Sequence, residues 1–227
     1  MTTRLVVIDY GAGNLHSVVS ALVAAGADRP IVTSDPEVVR RADRIVLPGV
    51  GAFGACAAAL RNVTGMVEAM EARVRTEGVP FLGICVGMQL LARRGMEHGV
   101  HAGLGWIDGE VLPIAGAGND REQAKAAQTS ASQIPASSIK VPHMGWNDVC
   151  PTSPAAEAGL ILPGEAYFLH SYHFVPADPH DLAALTDHGS QLAAAVARAN
   201  IMGVQFHPEK SQQYGLGFLA RFLDWRP

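Results

Sequence analysis

Apolar and polar positions along the first hundred residues alternate between two periods. A β-branched run, Arg4–Asp9, leads into "YGAGN" and then into apolar residues at helical spacing from Leu15 to Ala25, closed by Gly26. Ile31–Thr33 and Arg44–Leu47 repeat the short-strand signal, with helical stretches between them and again from Ala52 to about Arg75. Val79–Ile84 predicts another buried strand and Val86–Arg94 another helix. Short apolar strands alternating with helices imply βαβ units, hence a parallel sheet covered on both faces.

The second half changes character. "GWIDGEVLPI", "KVPHMGWNDV", "EAYFLHSYHFV", "QLAAAVARAN" and "IMGVQFHPE" are strand-like and separated by Gly, Pro and Asp, and "QYGLGFLARFLDW" spaces its apolar residues as a helix does. The pattern predicts a single α/β domain over 1–227, its central sheet mostly parallel with helices on both faces and an antiparallel portion in the second half. Ala115–Ser138, "AGAGNDREQAKAAQTSASQIPASS", holds Ile134 as its one large aliphatic residue. Such a stretch cannot bury enough apolar surface to offset its ordering entropy, so it reads as a flexible surface insertion.

Composition narrows the functional classes. With 48% hydrophobic and 17% charged residues in 227, the chain is of ordinary globular make-up and fits one substantial core. A formal charge of −4 and the lack of a basic run speak against nucleic acid as partner. No apolar run reaches membrane-spanning length, and "MTTRLVVIDYGAGN" lacks the apolar region and cleavage site of a signal peptide. Three cysteines, Cys56, Cys85 and Cys150, make neither a disulfide framework nor a zinc pair, which predicts a cytoplasmic protein with reduced thiols.

One of those thiols sits in a demanding place. In "FLGICVGMQ", Cys85 has a glycine two positions away on either side, at the point where a predicted strand gives way to a predicted helix. This is the sulfur version of a nucleophile elbow: a tight turn lifts the nucleophile above the sheet, and the glycines remove side chains that would clash. The start of a helix would favour the thiolate. A small buried thiol explains the same five residues, so the elbow alone does not decide.

A thiolate attacking a carbonyl needs an acid or base and an oxyanion site. Among nine histidines, His207 ends the apolar strand of "GVQFHPE", and in an extended chain Glu209 would point to the same face and orient it. A solvated strand end is the alternative. "LPGVGAF" closes the Arg44–Leu47 strand with glycines whose backbone N–H groups, with that of Val86, would make an oxyanion hole, although an ordinary βα turn reads the same way. His170 and His173 point to opposite faces in a β context, and read as polar core or cleft residues rather than metal ligands. No metal site is predicted. "YGAGN" lacks the full dinucleotide fingerprint and no P-loop lysine motif is present, so no cofactor is predicted either.

With the elbow, the His-Pro-Glu end and the PGVG loop together, the chain resembles the class I (triad) glutamine amidotransferases. The resemblance is carried by "VIDYGAGNLHSV", "LPGVGAF", "GICVGMQLL", "GLGWIDGEV", "VPHMGWNDV", "YFLHSYHFV" and "GVQFHPEKSQQYGLGFL", which span the chain apart from the Ala115–Ser138 insertion, longer than this family usually carries. PGVG, PHMGWN and HPEKSQ together narrow it to the branch that serves histidine biosynthesis. The resemblance implies a Cys85–His207–Glu209 triad that hydrolyses L-glutamine to glutamate and ammonia. It further implies an oxyanion site at Gly49, Val50, Gly51 and Val86, with Gln89 and the Ser171–Tyr172 backbone gripping the amino-acid end of glutamine. Ammonia would pass to a separate (β/α)8-barrel cyclase subunit in a heterodimer, which converts the ribulosyl intermediate PRFAR to imidazole glycerol phosphate and AICAR. By the same analogy Asn14, Trp146 and Lys210 face that partner. Other triad amidotransferases, for GMP, anthranilate or pyridoxal phosphate, share the chemistry but not PHMGWN or HPEKSQ. A stand-alone γ-glutamyl or cysteine hydrolase would use the same elbow without a partner, and a non-enzymatic binding module would leave Cys85, His207 and Glu209 unexplained.

Overall fold

The computed structural model describes residues 3–115, 139–152 and 159–227; most of the predicted insertion lies outside the described residues. Its frame is a nine-stranded sheet. The parallel half is built from β1 (Leu5–Ile8), β2 (Ile31–Thr33), β3 (Arg44–Gly49) and β4 (Phe81–Cys85), in the order β2-β1-β3-β4. Between them run α1 (Leu15–Ala24), α2 (Pro36–Val39), α3 (Phe53–Asn62) and α4 (Met66–Met70), the last continuing into a π-helical turn, Glu71–Thr76. The helical stretch expected over 52–75 is therefore interrupted near Gly65, whose φ of +79° suits a residue without a side chain.

After Cys85 comes α5 (Val86–Gln89), a single turn rather than the helix expected to Arg94. The competing donors lie far along the chain. The carbonyl of Leu90 accepts from Leu104 N–H, that of Leu91 from Trp106 and Ile107, and that of Ala92 from Gly105. A returning loop takes the hydrogen bonds that further helical turns would need.

That loop belongs to a second, four-stranded sheet with the order β10-β7-β5-β6: β5 (Arg94–Gly95), β6 (His101–Ala102), β7 (Gly109–Pro113) and β10 (Tyr172–Pro176). The large sheet is completed by β8 (His143–Pro151), β9 (Gly164–His170), β11 (Leu182–Asp187), β12 (Gln191–Arg198) and β13 (Ile201–Val204). β13 pairs in parallel with β4, and from it the order β12-β11-β8-β9 continues antiparallel. The chain ends in α6 (Gln212–Asp224). Its Gly215, Phe218, Leu219 and Phe222 are buried along one stripe, each large side chain worth roughly 1.5–3 kcal/mol of apolar burial.

Candidate active site

The site forms where the two halves of the sheet meet. Along the β4–β13 pair, Gly83 faces Gly203 and Ile84 faces Val204, so the chain beyond Val204 runs beside Cys85. On the other side Gly49 is in register with Cys85. Cys85 holds φ +56° and ψ −111°, a backbone state that costs a non-glycine residue of order 1–3 kcal/mol and must be imposed by its surroundings. Close packing imposes it. A Cβ at Gly87 would lie 1.9 Å from the Leu47 carbonyl oxygen, and one at Gly83 would lie 2.5 Å from that of Gly87. The turn closes only because both flanking positions lack side chains. With a single helical turn behind it, little macrodipole acts on the sulfur; the positive partner is His207 instead.

His207 and Glu209 do meet, Nδ1 to Oε1 at 2.8 Å, with side chains only 4% and 2% exposed. The way they meet differs from the extended geometry expected. β13 ends at Val204, and Pro208–Lys210 form a 3₁₀ turn that carries Glu209 back to the imidazole. Ser211 fixes the turn: its hydroxyl donates to the His207 carbonyl (2.7 Å) and accepts from Tyr167 N–H (2.9 Å), while His207 N–H donates to the Tyr167 carbonyl. Burial alone would lower the His207 pKa. Hydrogen bonding to the Cys85 sulfur and the Glu209 carboxylate, together with their charges, overrides it and raises the pKa from 6.5 to about 10.

Beside the sulfur lie two buried amides. Gln205 Nε2 approaches Cys85 Sγ at 3.7 Å, and Gln205 Oε1 accepts from Gln89 Nε2 at 3.0 Å. Gln89 Nε2 spends its other hydrogen on the Tyr172 carbonyl, also at 3.0 Å, leaving Oε1 as that amide's remaining acceptor. The Ser171 carbonyl accepts from Ile114 N–H, and the Tyr172 carbonyl accepts additionally from His170 Nδ1 at 2.9 Å. Both lone pairs of the Tyr172 carbonyl are therefore engaged within the protein, and any grip on a ligand by this stretch falls to its other groups.

The PGVG loop borders the site on the opposite flank. A Cβ at Gly49 would meet Gly87 N at 2.7 Å and the Tyr10 hydroxyl at 2.8 Å. Gly51 takes φ +105° and Val50 is exposed, its carbonyl accepting from the Cys56 thiol at 3.4 Å. Glu97 caps the helix that follows, its carboxylate accepting from Phe53 N–H at 2.6 Å. Burial first, then the neighbouring Cys56 and Cys85, push the Tyr10 pKa upward, so its phenol stays neutral.

A family profile described as Glutamine amidotransferase class-I matches residues 6–224. The chain belongs to the class-I glutamine amidotransferases. Within that family it is 54% identical over 228 residues to the imidazole glycerol phosphate synthase subunit HisH of Zymomonas mobilis, an alignment spanning 100% of this chain and 98% of that protein. It is 47% identical to the protein of the same name from Rhodospirillum rubrum, over 99% and 100% of the two chains. Among solved structures, PurLQS from Thermotoga maritima superposes with a TM-score of 0.67 at 18% identity, covering 99% of this chain and 97% of that one, a likeness of fold alone.

The remaining predicted positions of the amidotransferase lie in or near the Pro208–Lys210 turn. Lys210 sits over the Tyr167 ring at 5.7 Å, and Trp146, 47% exposed, meets the same ring edge-on with centroids 6.3 Å apart. Asn14 caps α1, accepting from Ser17 N–H, and α1 packs against the Pro208–Lys210 turn. Among the described residues no group of three or more His, Cys, Asp and Glu is placed to hold a metal ion, and no helix is long and apolar enough to cross a membrane. Gln205, Ser211 and Tyr10 were not singled out from the sequence. A signal for Gln205 exists: it is the one polar residue in "IMGVQF", two positions before His207.

Proposed function

We propose that this chain is the glutaminase subunit of an imidazole glycerol phosphate synthase, with Cys85, His207 and Glu209 as its catalytic triad. The observation that carries the reading is the buried His207–Glu209 pair at 2.8 Å, its imidazole beside a cysteine on a glycine-flanked elbow. Cys85 Sγ attacks the side-chain amide carbon of glutamine, and the C–N bond breaks as His207 gives its proton to departing ammonia. A His207 pKa near 10 suits this acid role, because the proton is in place at neutral pH. Acylation removes the sulfur's charge and its hydrogen bond, two of the influences that raise that pKa. Burial then weighs more, and the deprotonated imidazole becomes the base that activates water to cleave the thioester and release glutamate. The Gly49–Gly51 and Val86 backbone N–H groups receive the oxyanion, and Gln89 Oε1 accepts from the α-ammonium of glutamine.

Ammonia passes to a (β/α)8-barrel cyclase subunit docked on the face marked by Asn14, Trp146 and Lys210, in the cytoplasm and without a cofactor. Four rates at fixed cyclase concentration test the division of labour: wild type and Cys85→Ala, each with glutamine or with an ammonium salt. Cys85→Ala abolishes the glutamine-dependent rate and keeps the ammonium-dependent one. A retained glutamine rate refutes the nucleophile; loss of both rates in an intact complex refutes the separation of ammonia release from ring formation.

A further inference from the structure

Behind the glutamine pocket lies a line of polar groups, buried at His143 and His170, that the triad does not use. In the β8–β9 ladder, His143 and His170 are direct partners, and His143 Nδ1 lies 2.9 Å from His170 Nε2. Asn147 Nδ2 lies 3.0 Å from His143 Nε2 and donates at 2.7 Å to the Asp187 carbonyl. His143 is clamped between the rings of Phe168 and His188, at 4.6 and 4.2 Å, and His188 Nε2 contacts the Lys140 carbonyl at 2.6 Å. At the inner end His170 Nδ1 meets the Tyr172 carbonyl that also receives Gln89, and Gln89 leads through Gln205 to the sulfur.

Every proton in this line is determined. A carbonyl can only accept, so His170 carries its hydrogen on Nδ1 and, as a neutral ring, accepts on Nε2. His143 must then donate from Nδ1 and accept on Nε2 from the Asn147 amide. Burial, the leading influence, lowers the pKa of His170 to about 3 and of His143 to about 4; at His170 the Tyr172 hydrogen bond opposes it and the neighbouring His143, His173 and His188 add to it, and at His143 the neighbouring His188 adds to it. The alternating assignment therefore holds throughout the neutral range. Chains of this kind have one consistent direction, and reversing any link strands a buried donor against a donor.

We propose that His170 is a positioning residue for glutamine binding: by holding the Tyr172 carbonyl from behind, it fixes the acceptor that orients the Gln89 amide toward the substrate. Without the Nδ1–H bond the Gln89 amide can shift toward the side of the Tyr172 carbonyl that His170 occupied, and its Oε1 loses its fixed aim into the pocket. His143 and Asn147 hold the His170 ring in the tautomer this requires.

This rests on the glutaminase reading above, and the test separates the two. His170→Leu removes the donor, whereas His170→Asn places an amide N–H near the position of Nδ1. The isolated chain is treated with a glutamine-analogue electrophile, acivicin, and separately with iodoacetamide, which needs no glutamine pocket; labelling of Cys85 is followed by mass spectrometry and folding by thermal melting. Expected for His170→Leu is a roughly tenfold weaker apparent affinity for acivicin, the worth of about one net hydrogen bond, with little change in the saturating rate or in iodoacetamide labelling. His170→Asn recovers to within about threefold of wild type. Should His170→Leu fail to fold, His170→Asn decides alone. A tenfold loss in that variant, or wild-type acivicin affinity in His170→Leu, overturns the inference. Failure of acivicin to label wild-type Cys85 overturns the glutaminase reading itself.

Discussion

Gly87→Ala tests whether the elbow is held by backbone packing. The added methyl carbon would sit 1.9 Å from the Leu47 carbonyl oxygen and 2.9 Å from its carbon. Ordinary C···O contacts begin at about 3.3 Å, so β3 and the elbow must part by roughly 1.4 Å. Neither side can yield cheaply, because Leu47 lies inside β3 and is paired with Gly83 of β4. Overpacking against rigid neighbours costs about 1–3 kcal/mol, and losing one or two ladder hydrogen bonds adds about 1 kcal/mol each. A total of about 2–5 kcal/mol lowers the melting temperature of a chain this size by roughly 4–20 °C. Shifting the sulfur by about an ångström relative to His207 costs on the order of a hundredfold in kcat. The assay pairs differential scanning calorimetry with single-turnover glutamine hydrolysis in the cyclase complex. Gly217→Ala is the control: on α6 its methyl would meet only Arg221 Nη1, at 3.2 Å, a side-chain end anchored through Nε to the Leu160 carbonyl, and its helix propensity improves by up to about 1 kcal/mol. A Gly87→Ala protein that melts within about 2 °C of wild type and retains its kcat refutes the packing argument.

Glu209→Gln keeps the shape of the His207 partner but removes its charge, so the imidazole pKa falls from its value near 10. In the pH profile of kcat/KM the alkaline limb, where the acid form of His207 is lost, moves to lower pH in this variant, and His207→Ala loses more activity than Glu209→Gln. The same raised pKa makes a linkage claim. Stability contributed by the imidazolium is fully present below pH 6.5, its ordinary value, and is lost as pH rises toward about 10, so calorimetry across that window shows a shallower loss for Glu209→Gln than for wild type. Ser211→Ala leaves the Tyr167 N–H without its buried partner, a cost of about 1–3 kcal/mol, and the His207 carbonyl with the Lys210 N–H as its remaining donor, read as a lower melting temperature with a larger fall in kcat than in glutamine affinity.

The legible parts of this protein are those written in neighbouring residues. The parallel strands announce themselves as β-branched runs, and the elbow as two glycines around a cysteine, because both depend on contacts within a few positions. The length of α5 depends on residues 104–107, which return to take the carbonyls of Leu90, Leu91 and Ala92; nothing near Cys85 encodes that. The approach of Glu209 to His207 is legible as a pair, but its route is not. Pro208 opens a 3₁₀ turn where period-two reasoning extends the strand, and the turn is then fixed by Ser211 across to β9. The His143–His170 contact joins residues 27 apart through strand register, which one sequence cannot supply.

The register of one strand pair also explains why the proposed chemistry needs both halves of the sheet. β4 delivers Cys85, the proposed nucleophile, from the parallel half, and a parallel neighbour ends at the same edge, so β13 beside it delivers its own following residues to the same level. Ile84 faces Val204, hence the residue after each, Cys85 and Gln205, come within reach at 3.7 Å, and His207 follows two positions later. Had β13 been antiparallel to β4, its next residues would emerge at the opposite edge and no turn of three residues could return an imidazole to the sulfur. The antiparallel strands beyond β13 serve a different end. Tyr167 on β9 anchors the His207 turn, and His143 and His170 across β8 and β9 brace the carbonyl that holds Gln89. The proposed catalytic groups thus come from the parallel edge, while the antiparallel ribbon holds them in place. A substitution in that ribbon should therefore alter glutamine affinity or the orientation of His207, and leave the intrinsic reactivity of Cys85 toward a small alkylating agent unchanged.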